Sequence, residues 1–196
     1  MERYILLVTS WTVYFFLHSL LADDNVKTKL WGGMRKHFRY YRILYNLFSF
    51  LGLIFILFFN ASIPSTNLIV VSDMTRYLSL VIATGGIFIL KAAFKQYSTK
   101  GFLGLESDQQ EAFKANGILR HIRHPIYAGT ILVVIGFWLF VPNVTTLVSV
   151  CCIFIYLAIG IPLEEKKLIR KYGDAYREYK SKVPSLIPRF GKSLSR

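Results

Sequence analysis

HPIYAGTILVVIGFWLFVPNVTTLVSVCCIFIYLAIGIPLEE, residues 124–165, carries no charged side chain between His124 and Glu164. Two apolar runs, 126–141 and 144–163, meet at Pro142-Asn143. A membrane-spanning helix needs about 20 apolar residues, within a range of about 17–25. The second run has that length. The first has 16 residues, or about 24 Å of helix, so it is predicted to start inside the preceding polar motif or to thin the bilayer locally. A Pro-Asn junction is a tight turn, which makes the pair an antiparallel hairpin. Residues entering the first run and residues leaving the second then lie close together at one membrane face.

Three more long runs, about 4–22, 43–63 and 77–94, are nearly free of charge. A helix in a soluble core keeps a polar face, and these runs mostly lack one. The first is long for a signal sequence, and Arg3 is offset by Glu2, so it is read as a span. The mean hydropathy of +0.42 agrees. The expected fold is all-α: an integral membrane protein with about five transmembrane helices, a single domain over 1–196, and a cytoplasmic C-terminal amphipathic helix over about 164–182. In that tail Leu168, Tyr172, Tyr176, Tyr179 and Val183 recur at spacings of 4, 4, 3 and 4, which is one apolar-aromatic stripe. Pro184 and Pro188 end it.

The 24 Lys and Arg outnumber 11 Asp and Glu, a formal charge of +13. Alternate flanks of the five runs hold 22 and 2 of those cations. The positive-inside rule places the 22 in the cytoplasm and the N-terminus outside, as in a bacterial inner membrane or an equivalent one. This accounts for the charge with the lipid bilayer as partner and no nucleic acid, for which no recognition motif is present. His121 and His124 have no partner set of the HExxH or Cys-rich kind, so no metal is expected. Gly85-Gly86 permits close helix approach, and the oligomeric state stays open.

The hairpin brings Arg120, His121, Arg123, His124 and Tyr127 toward Glu164 and Glu165, across about 40 residues of sequence. A cationic cluster facing paired carboxylates suits a zwitterion, its carboxylate toward Arg or His and its ammonium toward Glu. Each residue taken alone also suits a headgroup anchor; their convergence argues for a site. His18, in FFLHSLLAD near the end of the first run, either bonds to a neighbouring helix or serves the site.

RHPIYAG followed by LEEKKLIRKYGDAYREYKSKVPSLIP resembles the C-terminal signature of small membrane methyltransferases, the isoprenylcysteine carboxyl and phospholipid methyltransferases. The resemblance covers roughly residues 117–190. FFLHSLLA, RYYRILYNLFS and GFLGL are similar to the NnrU-like and methanethiol S-methyltransferase branch. The resemblance implies S-adenosylmethionine as cofactor, bound on the cytosolic side. Carried over by position, Arg123, His124, Pro125, Tyr127 and Gly129 form one cofactor segment. Glu164 and Glu165 form the second and hold the ammonium, while Leu119 and His121 line the cleft. The expected reaction is methyl transfer to a small hydrophobic acceptor, foremost a thiol, with Arg123 nearest the methyl group. A thiol with an ordinary pKa near 8.5 gains from proton removal, for which His18 and Tyr127 are candidates beside His121 and Arg123. Isoprenylcysteine carboxyl or phospholipid amine methylation are the alternatives, and a non-catalytic membrane scaffold is the rival of another class.

Overall fold

The computed structural model describes residues 1–23, 26, 29, 35–96, 113 and 115–188. GFLGL, with the rest of 97–112, most of 24–34 and the stretch 189–196, lies outside the described residues. The elements are α1 (Glu2–Ala22), α2 (Arg35–Ser62), α3 (Asp73–Phe94), a 3-10 turn (Gly117–Arg120), α4 (Pro125–Phe140), α5 (Val144–Tyr172) and α6 (Asp174–Lys182). The protein is all-α, and α1, the Tyr40–Ser62 part of α2, α3 and α5 are each long and apolar enough to cross a membrane. The 16-residue α4 is a shorter apolar helix. It starts at Pro125, inside the motif of residues 120–129 and one residue ahead of the apolar run, because proline suits the first helical position and drives the residue before it out of helical geometry.

The described residues gather into two compact units, one within 1–68 and 143–153 and the other within 69–96, 113–142 and 154–188. In the first unit Leu7, Trp11, Ile56 and Ile63 are buried together, with Phe15, Phe59 and Cys152 packed against them. Polar side chains tie the same helices. Trp11 Nε1 donates to Ser149 Oγ at 2.8 Å, and Ser149 Oγ donates to Asn60 Oδ1 at 2.8 Å. Asn143 Oδ1 accepts from the Thr146 N–H at 2.8 Å and so caps the start of α5. Such bonds join helices where lipid offers no partner for a polar group.

In the second unit α3 and α4 meet backbone to backbone. A Cβ on Gly86 would lie 2.6 Å from the Gly129 carbonyl oxygen, and one on Gly136 would lie 2.7 Å from that of Ser79. Only residues without side chains allow this approach, and it maximises dispersion contact where no hydrophobic effect drives helices together. The apolar run 144–163 and the start of the helix expected over about 164–182 form one continuous helix. α5 runs on through Pro162, Glu164 and Glu165 to Tyr172, since one missing N–H kinks a helix without ending it. The break comes at Gly173, whose φ of 59° is one that glycine adopts freely. The aromatic stripe survives that break: Tyr176, Tyr179 and Val183 are buried with Leu168, Ile169, Tyr172 and Phe113.

The neighbouring glycines of α3 give a test. A Cβ on Gly85 would meet nothing within 4 Å. Thermal unfolding in detergent is expected to show Gly86→Ala destabilised by about 1–3 kcal/mol through overpacking against backbone. Gly85→Ala should be neutral or slightly stabilising, given the roughly 0.5–1 kcal/mol by which helices favour Ala over Gly. Equal melting of the two variants would remove the close contact as a source of stability.

Candidate functional site

The 3-10 turn starts at Gly117, whose φ of +53° would strain any residue with a Cβ. The chain then passes through His121, Ile122, Arg123 and His124 before Pro125 opens α4. The Arg123 and His124 N–H groups lie just ahead of that helix, and the segment after α6 satisfies them. Arg123 N–H donates to the Pro184 carbonyl at 2.9 Å, and His124 N–H to the Ser185 carbonyl at 3.0 Å. The Tyr179 hydroxyl donates to the Leu119 carbonyl at 2.6 Å. α6 and the residues after it therefore form a strap across the entrance to α4.

Glu165, on α5, is the centre of the side-chain network. Its Oε1 accepts from Arg123 Nε at 3.0 Å and Nη2 at 2.8 Å, and lies 3.1 Å from His124 Nε2. Its Oε2 lies 2.5 Å from Lys180 Nζ. Arg123 Nη1 donates to the carbonyls of Lys180, at 2.9 Å, and Val183. Lys180 thus gives its ammonium to Glu165 and its carbonyl to Arg123. His124 is 3% exposed and Glu165 7%, so the charges are held where solvent screens them little. Every side-chain nitrogen of Arg123 and both oxygens of Glu165 are engaged within the chain.

Two groups beside this network are differently placed. The Glu164 side chain is 40% exposed, and its Oε2 lies 3.6 Å from His124 Nδ1. The Tyr176 hydroxyl is buried and makes no hydrogen bond of good geometry among the described residues, with the Arg123 guanidinium near enough to act on it. Burial pushes its pKa up to about 12, and the negative charge of Glu165 adds to the effect. It is therefore a protonated donor near neutral pH, close enough to feel Glu165, Arg123 and Glu164.

The structure brings Arg123, His124, Glu164 and Glu165 together as contacts, and Tyr127 packs edge-on against His124 with ring centroids 5.5 Å apart. A Cβ on Gly160 would lie 3.3 Å from the Tyr127 hydroxyl, so that phenol reaches across α5. Leu119 gives its carbonyl to Tyr179, and His121 is exposed, its N–H closing the 3-10 turn onto Ile118. Pro125 starts α4, and Gly129 faces the Gly86 carbonyl, where its size serves helix packing. His18 lies in the first unit, 3.0 Å from Ser49 Oγ through Nδ1 and 3.1 Å from the Tyr45 hydroxyl through Nε2. These are bonds to a neighbouring helix. Sequence reasoning missed Lys180 and the polar role of Tyr176. Tyr176 belonged to the apolar stripe, and Lys180 was one cation among many.

The sequence pattern of the phospholipid methyltransferase family matches residues 74–175. The chain is 30% identical over 184 residues to methanethiol S-methyltransferase 1 of Bradyrhizobium diazoefficiens, covering 87% of this chain and 62% of that protein. It is 34% identical over 107 residues to the methanethiol S-methyltransferase of Crocosphaera subtropica, covering 54% and 38%. It is 35% identical over 74 residues to the protein-S-isoprenylcysteine O-methyltransferase of Schizosaccharomyces pombe, covering 37% and 31%. The chain spans less than two thirds of the length of these curated relatives.

The different surroundings of the two glutamates predict different variants. Glu165→Gln strips the charge that balances Arg123 and Lys180, and removing one partner of a buried pair typically costs about 3–5 kcal/mol. Its melting temperature in detergent is expected to fall clearly, while Glu164→Gln, with its exposed carboxylate, melts like the parent. Unaltered melting of Glu165→Gln would show that the network does not hold the strap.

Proposed function

This chain belongs to the phospholipid methyltransferase family, and on that premise we propose that it is an integral-membrane methyltransferase carrying a methyl group from S-adenosylmethionine to a small hydrophobic thiol. The observation that carries this reading is the charged cluster at the mouth of an apolar hairpin, with an exposed carboxylate at Glu164 and, at Tyr176, a buried hydroxyl without a hydrogen bond of good geometry. A thiol is favoured as acceptor because the alignment with a methanethiol S-methyltransferase runs over 184 residues, against 74 for the isoprenylcysteine enzyme.

The residues present fit a zwitterionic methionyl group. Glu165 is committed to Arg123, His124 and Lys180, so Glu164 is the carboxylate that receives an ammonium. Arg120 and His121 are the cationic-side partners for a carboxylate, and Leu119 lines the same turn. Tyr176 has a donor without a bond of good geometry, a group that a polar ligand would satisfy. S-adenosylmethionine, when bound, supplies a methyl group on a sulfonium that is already activated for a single displacement.

The chain's own contribution is alignment and exclusion of water. Arg123 acts through Glu165 and the strap, as a positioning residue that keeps the turn and α5 in register. Tyr127, laid against His124 and Gly160, is an orienting phenol of this unit, and the proton of a thiol acceptor passes to bulk water as the thiolate forms. The apolar runs of α4 and α5 offer a dry path for an acceptor that partitions from lipid. The N-terminus lies outside and the site faces the cytoplasm, by the distribution of basic residues, in a bacterial inner membrane or an equivalent one.

Calorimetric titration of the purified protein with S-adenosylhomocysteine tests the reading. Parent protein is expected to bind, and Glu164→Gln to bind about ten- to a hundredfold more weakly, the worth of a charge-assisted hydrogen bond, with unchanged melting. Tyr176→Phe, which removes no hydrogen bond of good geometry, should fold about as stably as the parent and should also bind more weakly. A folded parent that binds nothing would sink the methyltransferase reading and bring the scaffold forward.

A further inference from the structure

The contacts that hold Glu165 are unequal. Oε1 accepts from Arg123 Nε and Nη2 and lies 3.1 Å from His124 Nε2. Oε2 is met, among the described residues, by the Lys180 ammonium alone. Arg123 is not free to leave, since its side chain is 11% exposed and its Nη1 also holds the carbonyls of Lys180 and Val183. His124 is more deeply enclosed still. The Lys180 side chain is 43% exposed, and its charge sits on a flexible four-carbon stem. When that stem swings into water its ammonium is rehydrated, while Glu165 keeps Arg123 and His124. No buried charge is stranded, so Lys180 is the partner that can leave and return.

Lys180 also differs from the other cations of α6. Arg177 pairs with Asp174 and Lys182 with Glu178, each along its own helix, whereas Lys180 reaches across to α5. What it brings there is a primary ammonium, the same group that an amino acid carries on its α-carbon. Charge balance sets the two in competition. Arg123 and Lys180 are two positive charges against the carboxylates of Glu164 and Glu165. A further ammonium therefore finds an unbalanced carboxylate only when Lys180 withdraws.

Resting on the reading of this cluster as the seat of a methionyl zwitterion, we infer that Lys180 is a built-in stand-in for the ligand's ammonium, and that it sets the selectivity of the site for ligands with an amino-acid end. In the empty protein Lys180 answers Glu165. As a ligand ammonium is drawn to Glu164, Lys180 turns out to solvent and the charge of Glu165 is added to that of Glu164. The strap stays closed during this exchange, because Arg123 holds it through backbone carbonyls and not through the lysine side chain. A ligand without an ammonium gains nothing and leaves Lys180 in place. Affinity for an ammonium is lowered by the share of time that Lys180 holds Glu165, and a share of about nine tenths lowers it about tenfold.

The test uses the full chain in neutral detergent. S-adenosylhomocysteine is the ammonium-bearing probe, and 5′-methylthioadenosine, an adenosine thioether without the amino-acid end, is the control. In the parent, acetylation of Lys180 by N-hydroxysuccinimidyl acetate, followed by mass spectrometry, should quicken several-fold with S-adenosylhomocysteine and not with the control. Lys182, paired within α6, is the internal standard. By calorimetry Lys180→Met, which keeps the length and loses the charge, should bind S-adenosylhomocysteine about tenfold more tightly and the control as the parent does. Lys180→Arg should bring no tightening. Unchanged or slower acetylation on binding overturns the inference, and that readout needs no variant to fold. Unaltered or weakened S-adenosylhomocysteine binding by a folded Lys180→Met overturns it too. Equal tightening of the control would show a loosened strap and not an ammonium exchange. A parent that binds no S-adenosylhomocysteine sinks the methyltransferase reading and this inference together, whereas a parent that binds it with neither change sinks the inference alone.

Discussion

A single carboxylate that must be neutralised where water is scarce organises the second unit. Glu165 is 7% exposed, and leaving such a charge without partners would cost several kcal/mol. Two cations and an imidazole from two places in the chain answer it: Arg123 and His124 at the mouth of α4, and Lys180 from α6. Each arrives with its own segment, so neutralising the carboxylate also assembles the entrance of α4, the extension of α5 and the strap. Arg123 carries the coupling furthest, since the same guanidinium that donates to Glu165 also holds the carbonyls of Lys180 and Val183.

This arrangement divides labour between two adjacent glutamates. Neighbours in a helix point about 100° apart, so one is turned inward to the network while the other stays half in solvent. One orders the backbone around it, while the other keeps a side chain 40% exposed and 3.6 Å from His124.

Much of this was legible in the amino-acid order, for definite reasons. Spans are set by the absence of charge over some 20 residues, a property of composition, and the turn at Pro142-Asn143 made it certain which ends would meet. The meeting of Arg123 and His124 with Glu165 follows from that hairpin. What stayed hidden depends on side-chain direction and burial. Glu164 and Glu165 are the same residue type side by side, and only the packed structure tells which is enclosed. Gly129 read as part of a ligand motif, yet its missing side chain is used by the Gly86 carbonyl on another helix. The apolar run 144–163 and the helix expected over about 164–182 were read as separate elements, and the structure joins them as far as Tyr172, with the break at Gly173. Lys180 has no pattern of its own, since its partner is 15 residues away on a different helix.

The strap also has a meaning in time. A ribosome delivers the α4–α5 hairpin before it delivers the carbonyls of Pro184 and Ser185 that close over Arg123 and His124. The last 20 residues of that path, from Glu165 to Ser185, take about 1–4 s to synthesise at 5–20 residues per second. Arg123 and Glu165 both precede Lys180 and the strap in the order of synthesis, so the cluster is incomplete until Ser185 has been added. Its completion is therefore a late event in the making of the chain, later than the synthesis of the two helices that it joins.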